Sequence, residues 1–194
     1  MKANVGMLYP VAAPITAYTP GSAPTYGAGT ELEEARGATL TWERADGRFY
    51  GNNVELDSDN RVLGYSIDFE PSGLTDAGRA LLLGEVAASD EYTITDAPSP
   101  DVGFGYIRNM KETQTNGLVT ETFEGWWFYK LKFSLNSEET RTMERDTEWR
   151  VPTLTGTGAG VQLTAGGKLS FATHETFDTL AAAKTWLNGK ASIT

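Results

Sequence analysis

His174 is the only histidine in the 194-residue chain, so any histidine-dependent chemistry must pass through it. A His-rich metal site is excluded outright, and a Ser–His–Asp triad would hang on one residue beside an expected helix start. It reads as a capping or surface histidine. Neighbouring carboxylates occur at Glu33–Glu34 and Glu138–Glu139. Adjacent residues of a strand point to opposite faces, so neither pair suits acid–base work, and both read as solvated edges. The stretch "DSDNRV" (57–62) opens like an EF-hand loop, but Val62 stands where that loop needs glycine and no glutamate fills the twelfth position. "GFGYIR" and "GTGAGV" hold fragments of a dinucleotide fingerprint, without its last glycine and without opening an expected helix. With no cysteine there is no disulfide and no thiolate chemistry. No catalytic residue, cofactor or metal site is expected, and an enzyme is the least favoured class.

The stretch that raises a question is aromatic. In "GWWFYKLKFS" (125–134), simple alternation sends Trp127, Tyr129, Leu131 and Phe133 to one face. Trp126, Phe128, Lys130 and Lys132 go to the other. A half-buried strand should not carry a Trp and a Phe on its wet side. Large exposed apolar groups usually mark interfaces, so Trp126 and Phe128 are candidate subunit contacts. An alternative is a carbohydrate-binding β-sandwich module using the same pair as a sugar platform.

The elements that must position these residues follow from periodicity. Residues 1–37 read as an extended N-terminal arm, because Pro10, Pro14, Pro20 and Pro24 deny it regular helix or central strand. Leu8, Tyr9 and Tyr18 make it too apolar for a free tail, so it is expected to pack on something and to supply contacts between subunits. It reads poorly as a signal peptide. Alternation begins at Ala38: Leu40 and Trp42 point inward, Thr39, Thr41 and Glu43 outward. A long polar loop (44–61) precedes a strand with Leu63, Tyr65, Ile67 and Phe69 inside and Ser66, Asp68 and Glu70 outside.

"LTDAGRALLLG" (74–84) predicts a short helix with Thr75 as N-cap, Asp76 in the first turn and Gly84 as stop. "VGFGYIR" predicts a strand with Phe104 and Tyr106 on one face, and its glycines imply a close neighbour on the other. A hairpin around "AGG" and a helix within "HETFDTLAAAKTWLNG" follow. The expected total is about eight strands and two short helices in a single domain spanning 38–194. The predicted core is Trp42, Leu63, Tyr65, Ile67, Phe69, Phe104, Tyr106, Trp127, Tyr129, Leu131 and Phe133.

The net charge of −10 is confined to one segment. Residues 31–96 hold 15 Asp/Glu against 5 Lys/Arg, and the remainder holds 11 of each. Such a segment confers solubility and repels polyanions, the reverse of a nucleic-acid-binding footprint. No stretch approaches the roughly 20 apolar residues that span a bilayer.

Taken together and in order, "FYGNN", "GLTDAGRALLLG", "DAPSPDVGFGYIR", "GWWFYKLKFSLNSEE", "TEWRVPTLTGT" and "FDTLAAAKTWLNG" resemble the major tail proteins of long-tailed phages, the phi13-type tail tube subunits. The likeness covers about residues 38–190, and the arm matches less well. The resemblance implies a tail-tube-type β-sandwich with a short flanking helix and a short C-terminal helix. It implies rings, usually hexameric, stacked into a tube with an acidic lumen that conducts genomic DNA without binding it specifically. The expected partners are other copies of the chain and the tape measure, tail terminator and distal tail proteins, with no membrane. The expected location is the virion tail, assembled in the host bacterial cytoplasm. Glu43, Asp68 and Glu70 become the luminal candidates, and Trp126, Phe128, Leu8, Tyr9 and Tyr18 the subunit contacts.

Overall fold

Alternating sequence makes the chain mainly β. The computed structural model describes residues 2–51, 54–88, 91–113, 118–138 and 151–193. The elements are β1 (Lys2–Ala17), β2 (Thr25–Tyr26), β3 (Thr30–Glu31), β4 (Ala35–Arg44), β5 (Gly47–Gly51), β6 (Val54–Asp59), β7 (Val62–Pro71), α1 (Asp76–Leu83), β8 (Val86–Ala88) and β9 (Glu91–Thr93). They continue with β10 (Val102–Thr113), β11 (Val119–Ser137), β12 (Thr153–Gly158), β13 (Val161–Gln162), β14 (Leu169–Ser170), β15 (Ala172–Phe177) and α2 (Leu180–Ala191). The main sheet runs β2-β1-β10-β11-β12-β7-β4, with β3 added to β1 and β15 to β11. Its neighbours are antiparallel throughout.

β11 joins two halves of this sheet. One edge pairs with β10 from Val119 to Leu131. The other edge is divided, with β15 along Phe123–Phe128 and β12 along Leu131–Ser137. Between these stretches Val102 faces Leu131 while Phe104 faces Phe128, so β11 carries one residue more than β10, a β-bulge. The sheet folds over there. Phe69 on β7 and Phe104 on β10 are three strands apart, about 14 Å in a flat sheet, yet their ring centroids lie 5.2 Å apart.

Two apolar clusters result. The main core joins Tyr65, Ile67 and Phe69 to Phe104, Tyr106, Phe128, Leu131, Phe133 and Leu154, with Leu82 of α1 closing it. The second lies on the opposite face of β1, β10 and β11, where Val11, Ala13, Ile107 and Trp127 pack against Ala183, Leu187 and Ala191 of α2. Trp42 packs half-buried against the main core and Tyr129 against the second.

The helices carry their expected caps. Thr75 Oγ1 accepts a hydrogen bond from the Gly78 N–H at 3.2 Å, and Gly84 ends α1 in the left-handed region at φ 76°. α2 starts later than expected, with Thr179 as its N-cap, and passes through Gly189 to end at Ser192. His174 therefore lies on β15, not beside a helix start.

Several expectations are corrected. Residues 2–17, expected to be denied a central strand by their prolines, form a strand of the sheet between β2 and β10, with Val11, Ala12 and Ala13 fully buried. Pro10 falls in a bulge between the Leu8–Ile107 and Val11–Gly105 pairs, next to Tyr9 at φ 52°. Much of the long loop 44–61 is the hairpin β5–β6. Leu63 is not core: Glu43 faces Gly64 while Arg44 faces Val62, which leaves Leu63 as the extra residue of a bulge, 55% exposed.

Phe128 is not a surface residue. It is fully buried in the main core beside Leu131 and Phe133. Trp127 and Tyr129 belong instead to the cluster beneath α2. The bulge is the reason, since it reverses the alternation midway along β11. Glu139 and the charged connection through Arg150 lie outside the described residues.

Candidate interaction surfaces

The luminal candidates share one sheet face. On β7, burial of Tyr65, Ile67 and Phe69 turns Ser66, Asp68 and Glu70 the other way. Register extends that face sideways. Thr39 lies opposite Asp68, Thr41 opposite Ser66 and Glu43 opposite Gly64. Beyond β7, Thr155 lies opposite Asp68 and Thr157 opposite Ser66. Ser134 and Lys132 of β11 continue the two rows.

Side chains are tied across the strands. Asp68 Oδ1 accepts from Thr155 Oγ1 at 2.6 Å, and Thr155 Oγ1 accepts from Asn136 Nδ2. Glu43 and Asp68 are exposed and Glu70 half-buried. The helices pack elsewhere, α1 against the main core and α2 against the second. The face is thus a hydroxyl-rich, acid-biased wall of β4, β7, β12 and the end of β11.

Trp126 sits in a different environment, half-buried against the main core and stacked on Phe128 at 5.9 Å. It faces Tyr106 on one neighbouring strand and His174 on the other. The His174 ring stacks on it at 4.6 Å and 15°, and the Arg108 guanidinium lies 4.4 Å from its centroid. Those two neighbours come from strands on opposite sides of β11.

Glu124 ties this group together. It accepts from Trp126 Nε1 at 2.8 Å, faces His174 Nδ1 at 3.4 Å and lies 4.0 Å from Arg108 Nη1. Arg108 also donates to Tyr106 Oη at 3.1 Å. Burial pushes the Tyr106 phenol up, while Arg108 beside it pulls the other way.

The proposed arm contacts are mostly satisfied within the chain. Tyr9 donates to Asn188 Oδ1 at 2.9 Å, and Lys184 lies 4.2 Å from its ring centre. Tyr18 accepts from the Gln162 N–H at 2.9 Å. Leu8 is 36% exposed and remains available at the surface. Arg108, Glu124 and His174 are not legible as partners of Trp126 in the sequence, because only cross-strand register brings them together. No protein-family model and no curated protein matches the chain.

Proposed function

We propose that the chain is a structural subunit of a bacteriophage tail tube, assembling into stacked hexameric rings whose acidic lumen conducts DNA during ejection. The observation that carries this reading is the uncovered wall of Glu43, Asp68 and Glu70 set among Thr39, Thr41, Ser66, Thr155 and Thr157. Its carboxylates disfavour a DNA backbone, and its short hydroxyl side chains present little to catch on a moving polymer. The resemblance of residues 38–190 to tail tube subunits supports the same reading, as does the excess of acid in residues 31–96. Ring neighbours, tape measure, tail terminator and distal tail proteins are the partners, and the virion tail is the location. No described helix is long and apolar enough to cross a membrane.

The test is negative-stain electron microscopy of the concentrated protein, alone and with an initiating tip complex. Rings or tubes are expected, and monodisperse monomer under both conditions sinks the proposal. Reversing charge at Glu43, Asp68 and Glu70 to Lys should leave assembly possible and impair DNA ejection. Unimpaired ejection from assembled particles refutes the luminal assignment.

A further inference from the structure

The bulge in β11 holds the two halves of the sheet in their relative positions, and its two backbone carbonyls are gripped from opposite sides. Tyr26 donates its hydroxyl to the Tyr129 carbonyl at 2.8 Å, and Tyr65 donates to the Lys130 carbonyl at 3.1 Å. The rings come from different clusters, Tyr26 from the one beneath α2 and Tyr65 from the main core.

Each ring reaches its carbonyl across a glycine. A Cβ on Gly103 would lie 2.4 Å from Trp127 Cζ2 and 2.5 Å from Tyr26 Cε1, and one on Gly158 would lie 2.0 Å from Tyr65 Cζ. Those glycines also bracket Leu131, the first residue beyond the bulge. Gly158 pairs with Leu131 directly, and Gly103 follows Val102, which pairs with it on the other edge.

The bulge is indispensable for a chemical reason. If β11 alternated regularly through all these residues, Phe128 and Lys132 would share a face, and burying one would drag the other's ammonium into the core. With the bulge, Phe128, Leu131 and Phe133 are all buried while Lys132 stays exposed on the polar wall.

We infer that Tyr26 and Tyr65, with Gly103 and Gly158 as the gaps that admit them, form a two-sided clamp. That clamp fixes the bulge at Tyr129–Lys130 and so decides which side chains of β11 face the polar wall. It acts within one chain and holds whether or not the chain builds a tube.

The experiment compares native-state amide hydrogen exchange in Tyr26→Phe, Tyr65→Phe and Gly158→Ala with the parent. The reporters are the Tyr129 and Ala159 amides, which donate to the Phe171 and Lys130 carbonyls beside the bulge. Each Tyr→Phe change should speed exchange at these amides about tenfold beyond any change in the β4–β7 ladder. Gly158→Ala, which keeps the hydroxyl but blocks the ring's path, should match Tyr65→Phe. Uniform acceleration throughout the molecule, or none at the bulge, overturns the clamp. If one variant fails to fold, the Tyr26→Phe and Tyr65→Phe arms each decide independently.

Discussion

Phe128 and Leu63 exchanged the roles that alternation assigns them, and both exchanges come from a single extra residue in a strand. Phe128→Ala should cost about 3–5 kcal/mol in urea denaturation of the isolated chain, as expected for a large buried ring. A residue reserved for a subunit contact would leave that midpoint nearly unmoved. Leu63→Ser should stay within about 0.5 kcal/mol, because the side chain is already largely in water.

The buried phenols make a separate prediction about pH. Burial raises the Tyr26 and Tyr65 pKa values far above their usual 10.0. The unfolded chain ionises near that ordinary value, so it releases protons where the folded chain still holds them. Stability is therefore fully present below about pH 10 and falls above it, by up to about 1.4 kcal/mol per pH unit for each phenol. Denaturant midpoints measured between pH 8 and pH 11 should show this fall, and Tyr65→Phe should make it shallower.

At the scale of elements, the two helices do different work. α1 stops the main core at one end, anchored by Arg79 to Glu138 at 2.6 Å and to Glu85 at 3.5 Å. Thr75→Ala removes its N-cap acceptor and should cost about 1 kcal/mol in thermal or denaturant unfolding. α2 covers one face of β1, β10 and β11, and that cover answers the question posed by the two adjacent tryptophans. Trp127 is buried beneath α2, while Trp126 stacks on His174 and lies beside Arg108 against the main core. Leu187→Ala should cost about 2–5 kcal/mol and expose Trp127, seen as a red shift of tryptophan emission.

For the whole molecule, the consequence of the charge distribution is electrostatic. In the tube proposed above, acid-walled rings would repel one another at low ionic strength, where the Debye length is about 30 Å at 0.01 M against about 10 Å at 0.1 M. Tube formation should therefore speed up as sodium chloride rises over that range, followed by light scattering and micrographs. A rate that falls with salt would mean that attraction between charges, not relief of repulsion, drives assembly.

The sequence by itself determined that the chain is mainly β, where α1 begins and ends, and that Tyr65, Ile67, Phe69, Phe104 and Tyr106 are core. Those properties are local, carried by period-two alternation and by cap residues within a few positions of the helix ends. It also placed Glu43, Asp68 and Glu70 on the outward side, since each follows from its own strand's alternation.

Only the tertiary structure decided the face of Phe128, the partners of Trp126 and the integration of residues 2–17 into the sheet. The reason is distance along the chain. The hydroxyls that grip the bulge come from residues 103 and 65 positions away from the carbonyls they hold. One added residue inverts everything beyond it in a strand. Alternation fixed two faces within each half of β11, and a bulge held from afar joined those halves out of phase.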